Sequence, residues 1–499
     1  MDWAQFSLVG ALVLLGGCTV GPSYEPPSVT MPARFAGDRA TALADADLAR
    51  WWAAFGDPVL DRLIARAETG NLDVRQAAAR VAEARAQERE TRAAGAPTVN
   101  ASGQGGYNRL SGNSLPSGLA DLGSLNAPSA STGEGLGLRG ESFSTYQTGF
   151  DASWELDLFG GQRRADAAAH ARTEGAVWSR RDAEVVLAAE VGNTYQQYRA
   201  LQRRVAIADA AIASDRQLLA VIRVRSRQGL VTTLDERRQE RDIDQLVAQR
   251  EDLAAQADAR LHALGVLLGL GPTALAGELA APPAAAQPVR EVPTGLPSDL
   301  LRRRPDIRAA ERQLAAATAD IGVATADLYP KFSLTGALQL ASRSLSNLIQ
   351  SDSILANGSG RLSLPLLGRA AIHARVEERE ARTREALLAY QASVLGALRD
   401  VDDALTRLNA DRRRVDLLRA SERAAQDAAD TTAIRYRHGL IAFTDVLEAQ
   451  QSLLSARDAR AQAEGAAAQD VVALYKALGG GWDARRTQTD AEGAFDRGM

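Results

Sequence analysis

Eleven residues constrain this chain more than any other feature, because they occur twice. Arg225 to Asp235 reads Arg-Ser-Arg-Gln-Gly-Leu-Val-Thr-Thr-Leu-Asp, and Arg435 to Asp445 reads Arg-Tyr-Arg-His-Gly-Leu-Ile-Ala-Phe-Thr-Asp. The matched glycines, Gly229 and Gly439, suit the left-handed conformation that ends a helix, and the matched aspartates, Asp235 and Asp445, suit the start of the next. Each copy therefore reads as the tight tip of a helical hairpin. The offset, 435 − 225 = 210, holds back along the flanking helices. Val191, Tyr198, Val205, Ile212 and Leu219 recur every seventh residue, as do Leu387, Val394, Val401, Leu408 and Val415 in the second copy. A sustained seven-residue apolar repeat gives long helices wound as left-handed coiled coils. The expectation is a chain of two structural repeats.

Of the 499 residues, 45% are hydrophobic, 24% charged and 5% aromatic, which suits long helices better than several compact cores. A net charge of −4 argues against a nucleic-acid partner. Cys18 is the single cysteine, so no internal disulfide can form. Phe6 to Leu15 is an apolar run of signal-peptide length, too short for an ordinary transmembrane helix, although Met1 to Ser7 carries Asp2 and no Lys or Arg. Leu15-Gly16-Gly17-Cys18 resembles a bacterial lipobox. That resemblance implies a signal peptide over 1–17 and a Cys18 bearing N-palmitoyl and S-diacylglycerol chains, which anchor at about 0.8 kcal/mol per buried methylene. Thr19 resembles the residue that follows the cysteine in lipoproteins sorted to the outer membrane.

Residues 18–46, with Pro22, Pro26, Pro27 and Pro32, read as an extended tether without a core of its own. The first repeat is placed at 47–272, a linker rich in Ala and Pro at 273–297, the second repeat at 298–482, and a polar, disordered tail at 483–499. Within the repeats the apolar period drops to two at 97–107, 146–157, 331–340 and 353–366. In the clearest of these, Tyr146, Phe150, Ala152, Trp154 and Leu156 alternate with Gln147, Asp151, Ser153 and Glu155. These strands have the length used by outer-membrane barrels, about 9 to 11 residues. A half-buried soluble sheet alternates in the same way. The Gly/Ser/Leu run at 108–145 lengthens the first β-hairpin and reads as an exposed loop. The helical runs 161–228 and 369–438 would each reach about 100 Å at 1.5 Å per residue. Their return helices stop at Gly269 and Gly479.

Four strands with an apolar face cannot stand in lipid as an open sheet, because each unpaired edge group costs several kcal/mol there. Three copies would close twelve strands into a barrel wide enough for water. At this point a family resemblance becomes specific. Cys18-Thr-Val-Gly-Pro-Ser-Tyr24-Glu-Pro26, Trp51-Trp52 with Asp57-Pro58-Val-Leu60, Trp154-Glu-Leu-Asp157-Leu-Phe-Gly160, Leu296-Pro-Ser-Asp-Leu-Leu-Arg302 and Leu474-Tyr-Lys-Ala-Leu-Gly-Gly-Gly-Trp482 occur in order. Together they resemble the TolC-like outer-membrane factor family, in its lipoprotein branch of OprM and NodT type.

The resemblance implies a mainly α homotrimer with a periplasmic helical barrel and a 12-stranded transmembrane β-barrel. It implies an exit duct of a tripartite RND-type efflux pump, passively conducting small molecules and docking an inner-membrane transporter through a periplasmic adaptor. It also implies roles at the tips. Asp235 and Tyr436 match members of a gating bond network, Asp445 an acidic tip position, and Glu448 an acidic ring at the narrowest point, where aspartate is usual. Ile441 stands where some members carry a gating arginine. Gly229, Leu230 and Val231, with Gly439, Leu440 and Ile441, match the tip loops on which the adaptor seats. Helix capping explains Asp235 and Asp445 equally well, and packing within the tip is the alternative for the apolar loop residues.

Enzymatic readings fare worse. His170, His262, His373 and His438 are scattered without carboxylate or thiol partners at ligand spacing, so no metal centre and no catalytic residue is expected. Glu155 and Asp157 sit at i and i+2 of a strand, so they line one face and do not flank a scissile bond. Two functions remain open on the residues alone, a passive outer-membrane channel and a lipid-anchored periplasmic coiled-coil scaffold without a pore.

Overall fold

The computed structural model describes residues 19–35, 48–109, 142–229, 232–281 and 292–483. The signal run, Cys18, most of the 108–145 loop and the tail beyond 483 lie outside them. The regular elements are α1 (Pro58–Gly70), α2 (Leu72–Ala94), β1 (Thr98–Arg109), β2 (Ser142–Leu156), α3 (Gly161–Arg227) and α4 (Thr233–Leu267). Then come α5 (Pro305–Ala326), β3 (Lys331–Ser342), β4 (Ile354–Ser363), α6 (Arg369–Arg437) and α7 (Phe443–Ala477). The order α2-β1-β2-α3-α4 recurs as α5-β3-β4-α6-α7, so the duplication extends to whole elements. The long helices run 67 and 69 residues and the returns 35 each. No proline interrupts either long helix, so nothing removes an internal hydrogen bond.

The described residues fall into two compact units. The strand-bearing unit takes in the described parts of Met1–Tyr24, Ala86–His170 and Ala315–Thr383. Its sheet is antiparallel throughout, in the order β1-β2-β3-β4. The register sets Phe150 opposite Ala101 and Leu338, Trp154 opposite Leu334, and Leu156 opposite Phe332, which gathers the apolar residues on one face. That face is bare: Val99, Phe150, Leu338 and Leu362 are each more than half exposed. On the opposite face Asn100 donates to Asp151 at 3.2 Å, and hydroxyl pairs join Thr98 to Ser153 and Thr335 to Ser359. β2 begins at Ser142 and β4 ends at Ser363, so both differ from the limits read by alternation. Their partners decide this, because Ser142 pairs with Arg109 and Ser363 with Lys331, the terminal residues of the neighbouring strands.

Also in this unit, the residues that follow Cys18 are held in place. Val20 donates its amide to Phe159 O at 3.1 Å. Arg164 donates to Val20 O and Gly21 O at 3.1 and 3.0 Å. Gly21 lies against Gly322 so closely that a Cβ would stand 2.5 Å from its Cα.

The helical unit takes in the described parts of Glu25–Arg85, Ala171–Leu314 and Arg384–Met499. Trp51 is its centre, stacked on Tyr475 at 5.4 Å and meeting Trp52 edge-on at 5.7 Å. Gly192 makes room for it, since a Cβ there would come within 2.7 Å of the indole. Asp57 caps α1 by accepting from Val59 N at 2.9 Å and also receives the Tyr195 hydroxyl at 2.5 Å. Val191, Val394, Val401 and Leu408 are buried, as the seven-residue pattern requires. Phe35 is buried as well, so the proline-rich segment is extended yet laid on the body. The start of the linker is packed too, with Leu279 O accepting from the Tyr198 hydroxyl and Gln202.

The repeats share their end chemistry. Gly269 and Gly479, both at positive φ, end the return helices, with Leu270 N bonding Gly265 O and Gly480 N bonding Tyr475 O. Asn71 holds Leu267 O at 2.9 Å, and Arg304 holds the equivalent carbonyl, Ala477 O, at 3.1 Å.

Candidate functional site

The tips follow directly from local rules. α6 ends with Gly439 N on Tyr436 O at 2.9 Å and Leu440 N on Arg435 O at 3.0 Å, with Gly439 at φ +71. α3 ends with Gly229 N on Ser226 O at 3.0 Å and φ +72. No described residue lies within 4 Å of where a Cβ would stand on either glycine, so the backbone angle selects glycine. Leu230 and Val231 lie outside the described residues.

The two aspartates do the same work. Asp235 Oδ2 accepts from the Thr232 amide at 3.3 Å and the Thr232 hydroxyl at 2.9 Å, while Asp445 Oδ2 accepts from the Ala442 amide at 3.1 Å. Each carboxylate satisfies a backbone donor that the helix start leaves orphaned and sits at the positive end of the helix dipole.

Behind the loops lies a small apolar cluster of Ile222, Tyr436, Phe443 and Val446, with Leu218 and Ile441 against it. The Tyr436 and Phe443 rings are 5.9 Å apart, and the Arg225 guanidinium lies 4.8 Å from the Tyr436 ring centroid. Tyr436 is buried and its hydroxyl has no hydrogen-bond partner among the described residues. Asp235 and Tyr436 are thus both at the tip without a bond between them, because the Asp235 carboxylate is occupied by Thr232. Ile441 is half-buried on the cluster, Leu440 is 72% exposed, and Glu448 is exposed.

Sequence reasoning gave no role to Arg225, Ile222 or Phe443, nor to Arg223, which donates to Glu236 at 3.0 Å and Glu240 at 2.7 Å across the hairpin. The repeated Arg225 and Arg435 were the available signal. No spacing rule pairs residues across a turn whose geometry is not yet known.

No described helix is long and apolar enough to cross a membrane. Among the described residues no group of His, Cys, Asp and Glu is placed to hold a metal ion.

A family profile described as outer membrane efflux protein matches residues 63–270 and 296–480. This chain belongs to that family. The pyoverdine export outer membrane protein OpmQ of Pseudomonas aeruginosa is 32% identical over 486 residues, covering 97% of this chain and 98% of that one. The solvent efflux pump outer membrane protein SrpC of Pseudomonas putida is 32% identical and covers 95% of this chain and 97% of its own. Among solved structures, the outer-membrane channel OprN superposes with a TM-score of 0.80 at 32% identity, covering 93% of this chain and all of that one. As a member of the outer membrane efflux protein family, the chain is an outer-membrane efflux channel with a large periplasmic part. The poreless scaffold is set aside. The family and these relatives are channel proteins, not enzymes.

Proposed function

We propose that this chain is the exit duct of a tripartite export pump, assembled from three copies and anchored by acyl chains on Cys18. Its hairpin tips open when a periplasmic adaptor, joined to an inner-membrane transporter, seats on the two tip loops. The observation supporting association is an asymmetry between the repeats. On α3, Trp178 meets Trp482 at 5.5 Å and Arg308 at 5.1 Å, and buried Val185 has Gly481 against it. Their counterparts 210 residues on, Leu388 and Leu395, are 60% and 66% exposed. In the strand-bearing unit Phe159, before Gly160, stacks on Tyr329 at 4.9 Å, whereas Leu367, in the matching place before Gly368, is 95% exposed.

The second repeat thus lacks the cover that the first receives from it, and the first repeat of the next copy can supply that cover. Head-to-tail contacts of this kind close into rings. β1 and β4 also keep one unpaired edge each among the described strands, which lipid forbids, and three copies give the twelve strands of a water-filled barrel. The gate assignment is supported by the buried Tyr436 hydroxyl, which has no partner among the described residues, at the tip that also carries Asp235, Asp445 and Glu448. Relatives at the same 32% identity are named for pyoverdine export and for solvent efflux, so cargo is assigned to the transporter and not to the duct.

Native mass spectrometry and planar-bilayer recordings of the acylated protein test this reading. Three copies and discrete conductance are expected, rising when Asp235→Ala and Tyr436→Phe are combined and losing cation preference in Glu448→Ala. A conductance-silent monomer would overturn it.

A further inference from the structure

Each hairpin carries a pair of carboxyl groups across its seam. In the first, Asp215 on α3 and Asp242 on α4 are both more than nine-tenths buried. Asp242 receives Arg241 at 2.5 Å and Gln451 of α7 at 3.5 Å. Among the described residues Asp215 is paired with no cation; fully buried Gln239 donates to its main-chain carbonyl at 3.3 Å. The Gln239 side-chain oxygen is itself buried without a donor among the described residues. In the second hairpin, Asp470 on α7 faces Asp411 on α6 within hydrogen-bonding reach, and Asp470 Oδ2 is buried with no N–H or O–H donor against it. Arg407 of α6 lies near enough to be felt by Asp470, and Arg414 stands 3.8 Å from Asp411. In the second pair both groups are acceptors, so a proton is what satisfies the orphaned Asp470 oxygen; in the first, Arg241 and Gln451 already serve Asp242, and it is the buried Asp215 whose negative charge is left uncompensated among the described residues.

We propose that these pairs are proton-operated latches: a proton on each lets the arms of both hairpins close together, and its loss sets like charges against each other and favours separated arms. The inference rests on the channel reading for its consequence, opening of the tips, but not for the latch itself. Burial, then the Asp242 charge, pushes the Asp215 carboxyl up to about 6, with the Gln239 hydrogen bond opposing. Burial, then the hydrogen bond and charge of Asp411, pushes Asp470 up to about 6, with Arg407 opposing. Both groups ordinarily titrate at 3.8. A group raised in the closed state stabilises it fully below its ordinary value, and that support is lost as pH rises through about 6. The arms are therefore tightest near pH 4 and loosened at pH 7.

Hydrogen–deuterium exchange of the full-length protein, comparing wild type with Asp215→Asn and Asp470→Asn at matched pH, reads the latch without needing a pore. At pH 8 the variants should exchange about a hundredfold more slowly across 208–245 and 405–475, since the rise from 3.8 to about 6 is worth roughly tenfold per pH unit, and the difference should shrink as pH falls and vanish near pH 4. Should an Asn variant misfold, Asp242→Asn and Asp411→Asn remove the same repulsion from the other side. In wild type alone, seam protection relative to α5 should fall as pH rises from 5 to 8. Protection that ignores pH in wild type, or variants that exchange like wild type at pH 8, overturns the latch. Parallel bilayer recordings separate the two claims: pH-dependent exchange without conductance defeats the channel reading alone, and conductance with pH-independent exchange defeats the latch alone.

Discussion

Gly439 and Gly269 both turn a helix end at nearly the same positive φ, +71 and +70, yet they answer to different constraints. Around Gly439 there is open space, so Gly439→Ala should cost only the left-handed backbone, about 1 kcal/mol. At Gly269 a Cβ would also stand 2.2 Å from Gly70 O, which adds about 1 to 3 kcal/mol of forced displacement. Denaturant midpoints of the two variants check the order, and equal shifts would contradict it. Glycine at both positions was legible because a helix stop needs a particular backbone angle. The second burden on Gly269 was not, since the carbonyl it meets is about 200 residues away in sequence. The same applies to Tyr436: its position in the repeat marked it, but its burial against Phe443 and Ile222 depends on two hairpin ends meeting.

At the scale of elements, the long helices were readable from the spacing of Val191 through Leu219 and Leu387 through Val415, because a seven-residue stripe can be satisfied only by another helix. Strand limits were less readable. Alternation continues past the last ladder bond, whereas β2 and β4 start or stop where Arg109 and Lys331 give them partners. The segment after Cys18 was read as an extended tether without a core of its own because of its prolines. Its order comes from elsewhere, chiefly from Arg164 donating to Val20 O and Gly21 O. Arg164→Ala should therefore leave the sheet intact and expose residues 19–24 to protease. Limited proteolysis followed by mass mapping checks this, and an unchanged digestion pattern would show that the glycine contacts suffice.

For the whole molecule, the comparison of repeats gives a paired test. Leu395→Arg places a charge on an exposed face and should leave helix content unchanged while abolishing association, as read by native mass spectrometry. Val185→Arg, its counterpart 3% exposed in the first repeat, should cost several kcal/mol and unfold the helical unit, because the charge is buried without a partner. If Leu395→Arg still associates, that face does not meet the next copy. The sequence by itself determined the duplication, the hairpins and the alternation of strands, since each is a matter of neighbours close along the chain and of period. Only the tertiary structure decided which copy of each matched face is covered and which carboxylates meet across a seam. Identical local patterns become different environments once the two repeats pack, and that difference arises from contacts between residues hundreds of positions apart.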